Sequence, residues 1–84
     1  MTTKLSNSTL WQLKSGESCL LVGFDDSLDP KYKERVSELG FRPKTKVSCL
    51  KSPSFGAPKV YQVSNSVFSL EESVASGIFT KPLL

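Results

Sequence analysis

The chain has 84 residues, 38% of them apolar, and eleven Lys and Arg against eight Asp and Glu, giving a net charge of +3. That describes one folded domain over 1–84, too apolar to stay disordered and without the dense basic stripe of a nucleic-acid binder. Histidine is absent, which removes Ser–His and Cys–His catalysis and the commonest metal ligand.

The longest apolar run, Cys19–Phe24, falls far short of the ~20 residues a membrane span needs. The opening "MTTKLSNSTL" holds no apolar stretch of signal-peptide length, so the expectation is a protein that stays in the cytoplasm. In that reducing compartment Cys19 and Cys49 read as small apolar strand residues rather than a disulfide, and they lack the CxxC spacing of a zinc site. Asp25, Asp26 and Asp29 lack the glycine and terminal Glu of a calcium loop and read as turn and helix-start residues.

In chain order, "TLWQLKSGES" predicts a short helical turn over about residues 9–13, with Thr9 as its cap and Gly16 making the following turn. Trp11, the only tryptophan, reads as partly buried beside the fold, with an exposed docking anchor as the alternative. "ESCLLVGFDD" reads as a strand with both faces apolar. Gly23 suggests a bulge that swings Phe24 inward, and the next helix is the expected cover for the second face.

"SLDPKYKERVSELG" is a helix over 30–39. Asp29 caps it and Pro30 sits at the first helical position, where its missing N–H is harmless. Tyr32, Val36 and Leu39 form one apolar stripe, and Gly40 closes the helix with positive φ. Phe41 folds back and Pro43 forbids continuation. "KVSCLKS" and "KVYQV" alternate as strands, joined by a rigid "PSFGAP" loop with Phe55 at its tip between Pro53 and Gly56–Pro58. Asn65-Ser66 is the expected hairpin turn into "VFSL", with Phe68 and Leu70 inward. A further helical turn over 71–76 and a short strand "IFT" finish the domain. The fold class is mainly β: about five strands closing into a small barrel, with one inserted helix and a core over about 9–80.

These pieces, taken in order, resemble a known family. They are Leu10, Leu13, Gly16 and Glu17; Glu38-Leu39-Gly40-Phe41 and Pro43; Gly56 and Pro58; and Leu70, Ala75 and Ile78. Their succession is similar to that of ferrous iron transport protein A (FeoA). The chain departs from the family pattern at Pro43-Lys44 (Pro-Gly there), at Gly56-Ala57-Pro58 (Gly-Asp-Pro) and at Glu71 (a basic residue).

The resemblance implies an SH3-like barrel with an inserted helix. It implies a cytoplasmic accessory protein, without cofactor or enzymatic activity, that works with the ferrous iron permease FeoB. It would bind the permease's cytosolic GTPase domain and reach the inner face of the membrane only through it. Two other readings stay open: a regulatory module related to the SH3-like domains of iron-dependent repressors, and a weak metal sensor. Nucleic acid is not an expected partner, and weak self-association is compatible with so small a barrel.

On the accessory reading, Lys31, Lys33, Arg35, Arg42, Lys44 and Lys46 form a basic edge around Phe41, an aromatic centre with an arginine rim. The partner-binding candidates are Tyr32, Arg35, Val36, Leu39, Phe41 and Arg42, with Phe55 as a separate contact. The competing reading is that the apolar members simply pin the helix to the barrel. Gly16, Pro30, Gly40, Pro43, Gly56 and Pro58 are structural turn residues.

Overall fold

The computed structural model describes residues 8–83. Its strands are β1 (Ser8–Thr9), β2 (Ser18–Phe24), β3 (Lys46–Lys51), β4 (Lys59–Val63), β5 (Ser66–Leu70) and β6 (Ile78–Lys81). A 3-10 turn (Leu10–Gln12) follows β1, helix α1 (Pro30–Leu39) joins β2 to β3, and helix α2 (Glu72–Ala75) joins β5 to β6. All strand pairs are antiparallel, in the order β1-β6-β2-β3-β4-β5.

Local chemistry accounts for α1. The Asp29 carboxylate accepts from the Lys31 N–H at 2.9 Å, and Pro30 occupies the first turn. At the far end Gly40 has φ 114°; its N–H donates to the Ser37 carbonyl at 3.1 Å and the Phe41 N–H to the Val36 carbonyl at 2.9 Å. That pair of bonds is a Schellman closure, and glycine supplies the positive φ at no steric cost. The turn after it is type II: Pro43 fixes its first corner, the Thr45 N–H donates to the Arg42 carbonyl at 3.1 Å, and Lys44 takes the second corner at φ 71°. A Cβ in this region is unfavourable, so Lys44→Gly should raise the unfolding free energy by about 0.5–1 kcal/mol. An upward shift in the urea midpoint at unchanged m-value is the measurement.

The predicted bulge lies in β2. Leu21 pairs with Thr80 and Gly23 with Phe79, leaving Val22 as the extra residue. The structure corrects four expectations. There are six strands, because the two-residue β1 pairs with β6. Among the described residues no ladder closes the barrel, and β1 and β5 stand at the two ends of the sheet. The hairpin turn is Ser64-Asn65, with Val63 opposite Ser66 and Tyr61 opposite Phe68. Finally, α1 does not cover the second face of β2, where Val22 is 43% exposed.

Side chains bridge the open seam. The Tyr61 hydroxyl donates to the Leu10 carbonyl at 2.8 Å, and the Lys59 ammonium donates to the carbonyls of Trp11 and of Leu13, the latter at 3.1 Å. Lys59 also sits 4.9 Å from the centre of the half-buried Trp11 ring. Leu10, Leu21, Phe41, Val47, Tyr61, Val63 and Ile78 fill the interior with the free thiols of Cys19 and Cys49.

Burial pushes both thiols above their ordinary value of 9.0 and pushes the Tyr61 phenol up from 10.0, with the thiols adding to the shift. All three are raised, so their contribution to stability is fully present below the unfolded-state values. It is lost as pH climbs from there toward the folded-state ones. Urea midpoints should therefore show no loss from these groups between about pH 6 and 8 and a decline above about pH 9.

Candidate protein-docking site

The 3.6-residue period of α1 puts Tyr32, Arg35, Val36 and Leu39 on one side of the helix. That side forms one wall of a groove of about 540 Å³. The opposite wall is Phe68, Ser69 and Leu70 of β5, continued by Glu71 and Val74. Val36 and Leu70 are buried, Leu39 and Phe68 half-buried, and Tyr32 and Arg35 stand exposed at the lip. Arg35 and Glu71 place opposite charges on opposite walls, so the groove is apolar along its floor and polar at its rim.

β5 is the last strand of the sheet, without Lys, Pro or a bulge to blunt it. The two-residue turn makes Val63 and Ser66 a hydrogen-bonded pair, and the alternation of an antiparallel ladder then turns the N–H and C=O groups of Val67 and Ser69 away from β4. Val67 is 54% exposed. The groove therefore runs along a strand edge that no described strand pairs with, offering backbone donors and acceptors beside apolar side chains. An extended segment of another chain suits such a slot.

Four of the seven predicted contact residues line this groove, and three do not. Phe41 is 0% exposed: its ring packs against Phe68, with centroids 5.9 Å apart and planes at 57°. The competing core reading holds for it, because the Schellman closure turns it under the helix rather than outward. Arg42 lies outside the groove, its Nε donating to the Ser37 carbonyl at 3.1 Å, where a cation stabilises the negative end of the helix. Phe55 is fully exposed at φ 63°, in the loop between β3 and β4. Gly40 lies near Val63, at the other end of that hairpin from the loop, so α1 ends roughly a strand length (about 16 Å) from Phe55.

The predicted basic edge also divides. Lys44 lies beside Leu20 and Val22, and Lys46 pairs directly with Leu20, on the outer face of β2 rather than in the groove with Arg35. The Asp25 carboxylate is held below its ordinary value, first by the Ser27 N–H and then by the Ser27 hydroxyl, each at 2.9 Å. It serves the turn before α1. Among the described residues no three His, Cys, Asp or Glu side chains gather as they would around a metal ion, and no helix is long and apolar enough to cross a membrane.

The groove wall that sequence reading missed, Phe68 to Val74, carried one usable signal: the inward alternation of Phe68 and Leu70. Its pairing with α1 is a long-range contact that no local pattern encodes.

Comparison with known proteins follows the same outline. The family model described as the FeoA domain matches residues 8–82. No curated protein sequence matches the chain. Among solved structures, FeoA of Stenotrophomonas maltophilia complexed with zinc is 28% identical, with TM-score 0.78 over 88% of this chain and 89% of that one. It is described as a procaryotic SH3 domain protein and a candidate ferrous iron transport activating factor. A FeoA-like protein from Clostridium acetobutylicum superposes with TM-score 0.80 at 19% identity, covering 100% of this chain and 92% of that one. A manganese-dependent transcriptional repressor superposes with TM-score 0.83 at 16% identity; 99% of this chain is covered, but only 45% of the repressor. The last two likenesses are of fold: the chain is an SH3-like domain that spans less than half of that repressor.

Proposed function

This chain belongs to the FeoA domain family, and on that premise we propose that it is a non-catalytic accessory protein of ferrous iron uptake. It acts by docking on the cytosolic GTPase domain of the ferrous iron permease FeoB and regulating transport from there, at the inner face of the membrane. The observation that carries the reading is the groove between α1 and the edge of β5. It is apolar on its floor and ringed by Tyr32, Arg35 and Glu71, while among the described residues every buried side-chain nitrogen and oxygen already has a hydrogen-bond partner. The description of the Stenotrophomonas relative as a candidate activating factor for ferrous iron transport supports the same reading.

Tyrosine and arginine at the lip of an apolar slot are the residue types that dominate protein interfaces. Both are exposed here, so replacing them tests contact rather than folding. Arg35→Glu and Tyr32→Ala should each weaken binding to the purified GTPase domain by about tenfold or more while leaving the thermal midpoint nearly unchanged. Phe55→Ala, at a residue that does not line the groove, should leave affinity alone. Unchanged binding by well-folded Arg35→Glu and Tyr32→Ala would remove the groove as the contact. Loss of binding with Phe55→Ala alone would move the contact to the loop.

A further inference from the structure

The outer face of β2 carries a second apolar surface that the groove does not use. Leu20 lies between two lysines in register, Lys46 on β3 and Lys81 on β6, and directly opposed residues point to the same side of a sheet. The bulge at Val22 leaves that side chain 43% exposed next to Leu20. Pro43 and Lys44 complete the wall. They are held by two reciprocal backbone bonds, the Lys44 N–H to the Leu21 carbonyl at 2.7 Å and the Leu21 N–H to the Thr45 carbonyl at 2.9 Å. Together with Lys81 these residues enclose a depression of about 470 Å³, and among the described residues no carboxylate lines it.

Charge decides what fits. Lys44 and Lys81 line the depression and Lys46 stands opposite Leu20 at its border, around half-buried Leu20, exposed Val22 and a proline, so the complement is an acidic segment that brings one large aliphatic side chain. Lys44 sharpens the point: its turn position favours glycine, yet the chain places a third cation there at φ 71°. The surface is concave, which suits an inserted side chain better than a flat bilayer. In the sheet order β3 and β4 separate β2 from β5, so this face and the groove lie on different walls and one molecule can use both.

We propose that the depression lined by Leu20, Val22, Pro43, Lys44 and Lys81, with Lys46 at its border, is a docking site for an acidic, leucine-bearing segment of a partner protein. This goes beyond the GTPase reading and stands if that reading fails.

The test is NMR on the labelled 84-residue chain, titrated with a synthetic peptide of leucines flanked by aspartate and glutamate. The same peptide with lysines in place of the acids, and phosphatidylglycerol vesicles, are the comparisons. The expected result is shifts confined to the amides of residues 20–22, 44–46 and 81, weakened by added salt. The Lys46→Glu/Lys81→Glu double variant, altered only at exposed positions, should keep the parent spectrum elsewhere and bind the acidic peptide about tenfold less tightly. Lys44→Gly should lose about two- to fivefold in affinity while gaining stability, a pairing that a merely structural role for Lys44 would not produce. Any of four results would overturn the proposal: no shifts at millimolar peptide, equal shifts with the lysine peptide, shifts centred on residues 32–39 and 68–74, or binding to the vesicles without binding to the acidic peptide.

Discussion

Phe41→Ala is expected to lower the unfolding free energy by about 3–5 kcal/mol, out of a total on the order of 5–10 kcal/mol for a domain of this size. The ring is wholly buried, and three things depend on it. It fills the interior as part of the buried cluster that also holds Val63. It supports Phe68, which forms part of the groove floor. It also follows the Schellman glycine, so its burial pins the end of α1 to the sheet. Little can flow in to refill the space, because the neighbouring strands are tied by their ladders. Phe55→Ala is the matched control: the same atoms are removed from a fully exposed tip, and stability should change by no more than about 0.5 kcal/mol. Urea denaturation of both variants decides the matter, and equal small losses would show that the Phe41 ring does not hold the core. The comparison bears on function too. Any loss of partner binding by Phe41→Ala follows from a loosened helix and groove floor, so Arg35 and Tyr32 are the positions that report contact.

Helix α1 was legible because everything that defines it is local: an aspartate cap, a proline in the first turn, an apolar period and a closing glycine. The type II turn was partly legible, since Pro43 marks its first corner, but Lys44 hid the second, where glycine is the usual sign. The hairpin turn shows where alternation stops being decisive. Both Asn65-Ser66 and Ser64-Asn65 keep Phe68 and Leu70 inward; the observed choice sets Tyr61 opposite Phe68, an aromatic cross-strand pair worth up to about 1 kcal/mol. β1 is two residues long and exists only because β6 is there to pair with it, so no periodicity could announce it. The candidate site divides in the same way. Its helical wall followed from a 3.6-residue period, while its β5–α2 wall depends on contacts between distant parts of the chain. Phe41 was ambiguous because an aromatic after a helix-closing glycine can turn either way; Phe68, far along the sequence, settles it.

Gly77→Ala is the other substitution with a large expected effect. Gly77 is buried between α2 and β6, with φ outside the left-handed region, so space is what is at issue. A Cβ there would stand 3.1 Å from Leu28 Cδ1 and 3.3 Å from Leu28 Cβ. The terminal methyl could swing away, but the Leu28 Cβ moves only with its backbone, which donates to the Asp25 carbonyl at 3.0 Å. The Gly77 carbonyl in turn accepts from the Asp25 N–H at 2.8 Å, so both sides of the contact are tied to one turn. Overpacking at so constrained a point should cost about 1–3 kcal/mol. Gly23→Ala is the contrast: nothing lies within 4 Å of its added Cβ, and its φ lies outside the left-handed region. Stability there should hold or rise by a few tenths of a kcal/mol, through the reduced freedom of the unfolded chain. Thermal melts of the two variants should separate clearly, Gly77→Ala falling and Gly23→Ala not. If both stayed at the parent midpoint, the turn before α1 would have to be looser than its hydrogen bonds indicate, and the first turn of the helix, with Tyr32 in it, would be correspondingly free to move.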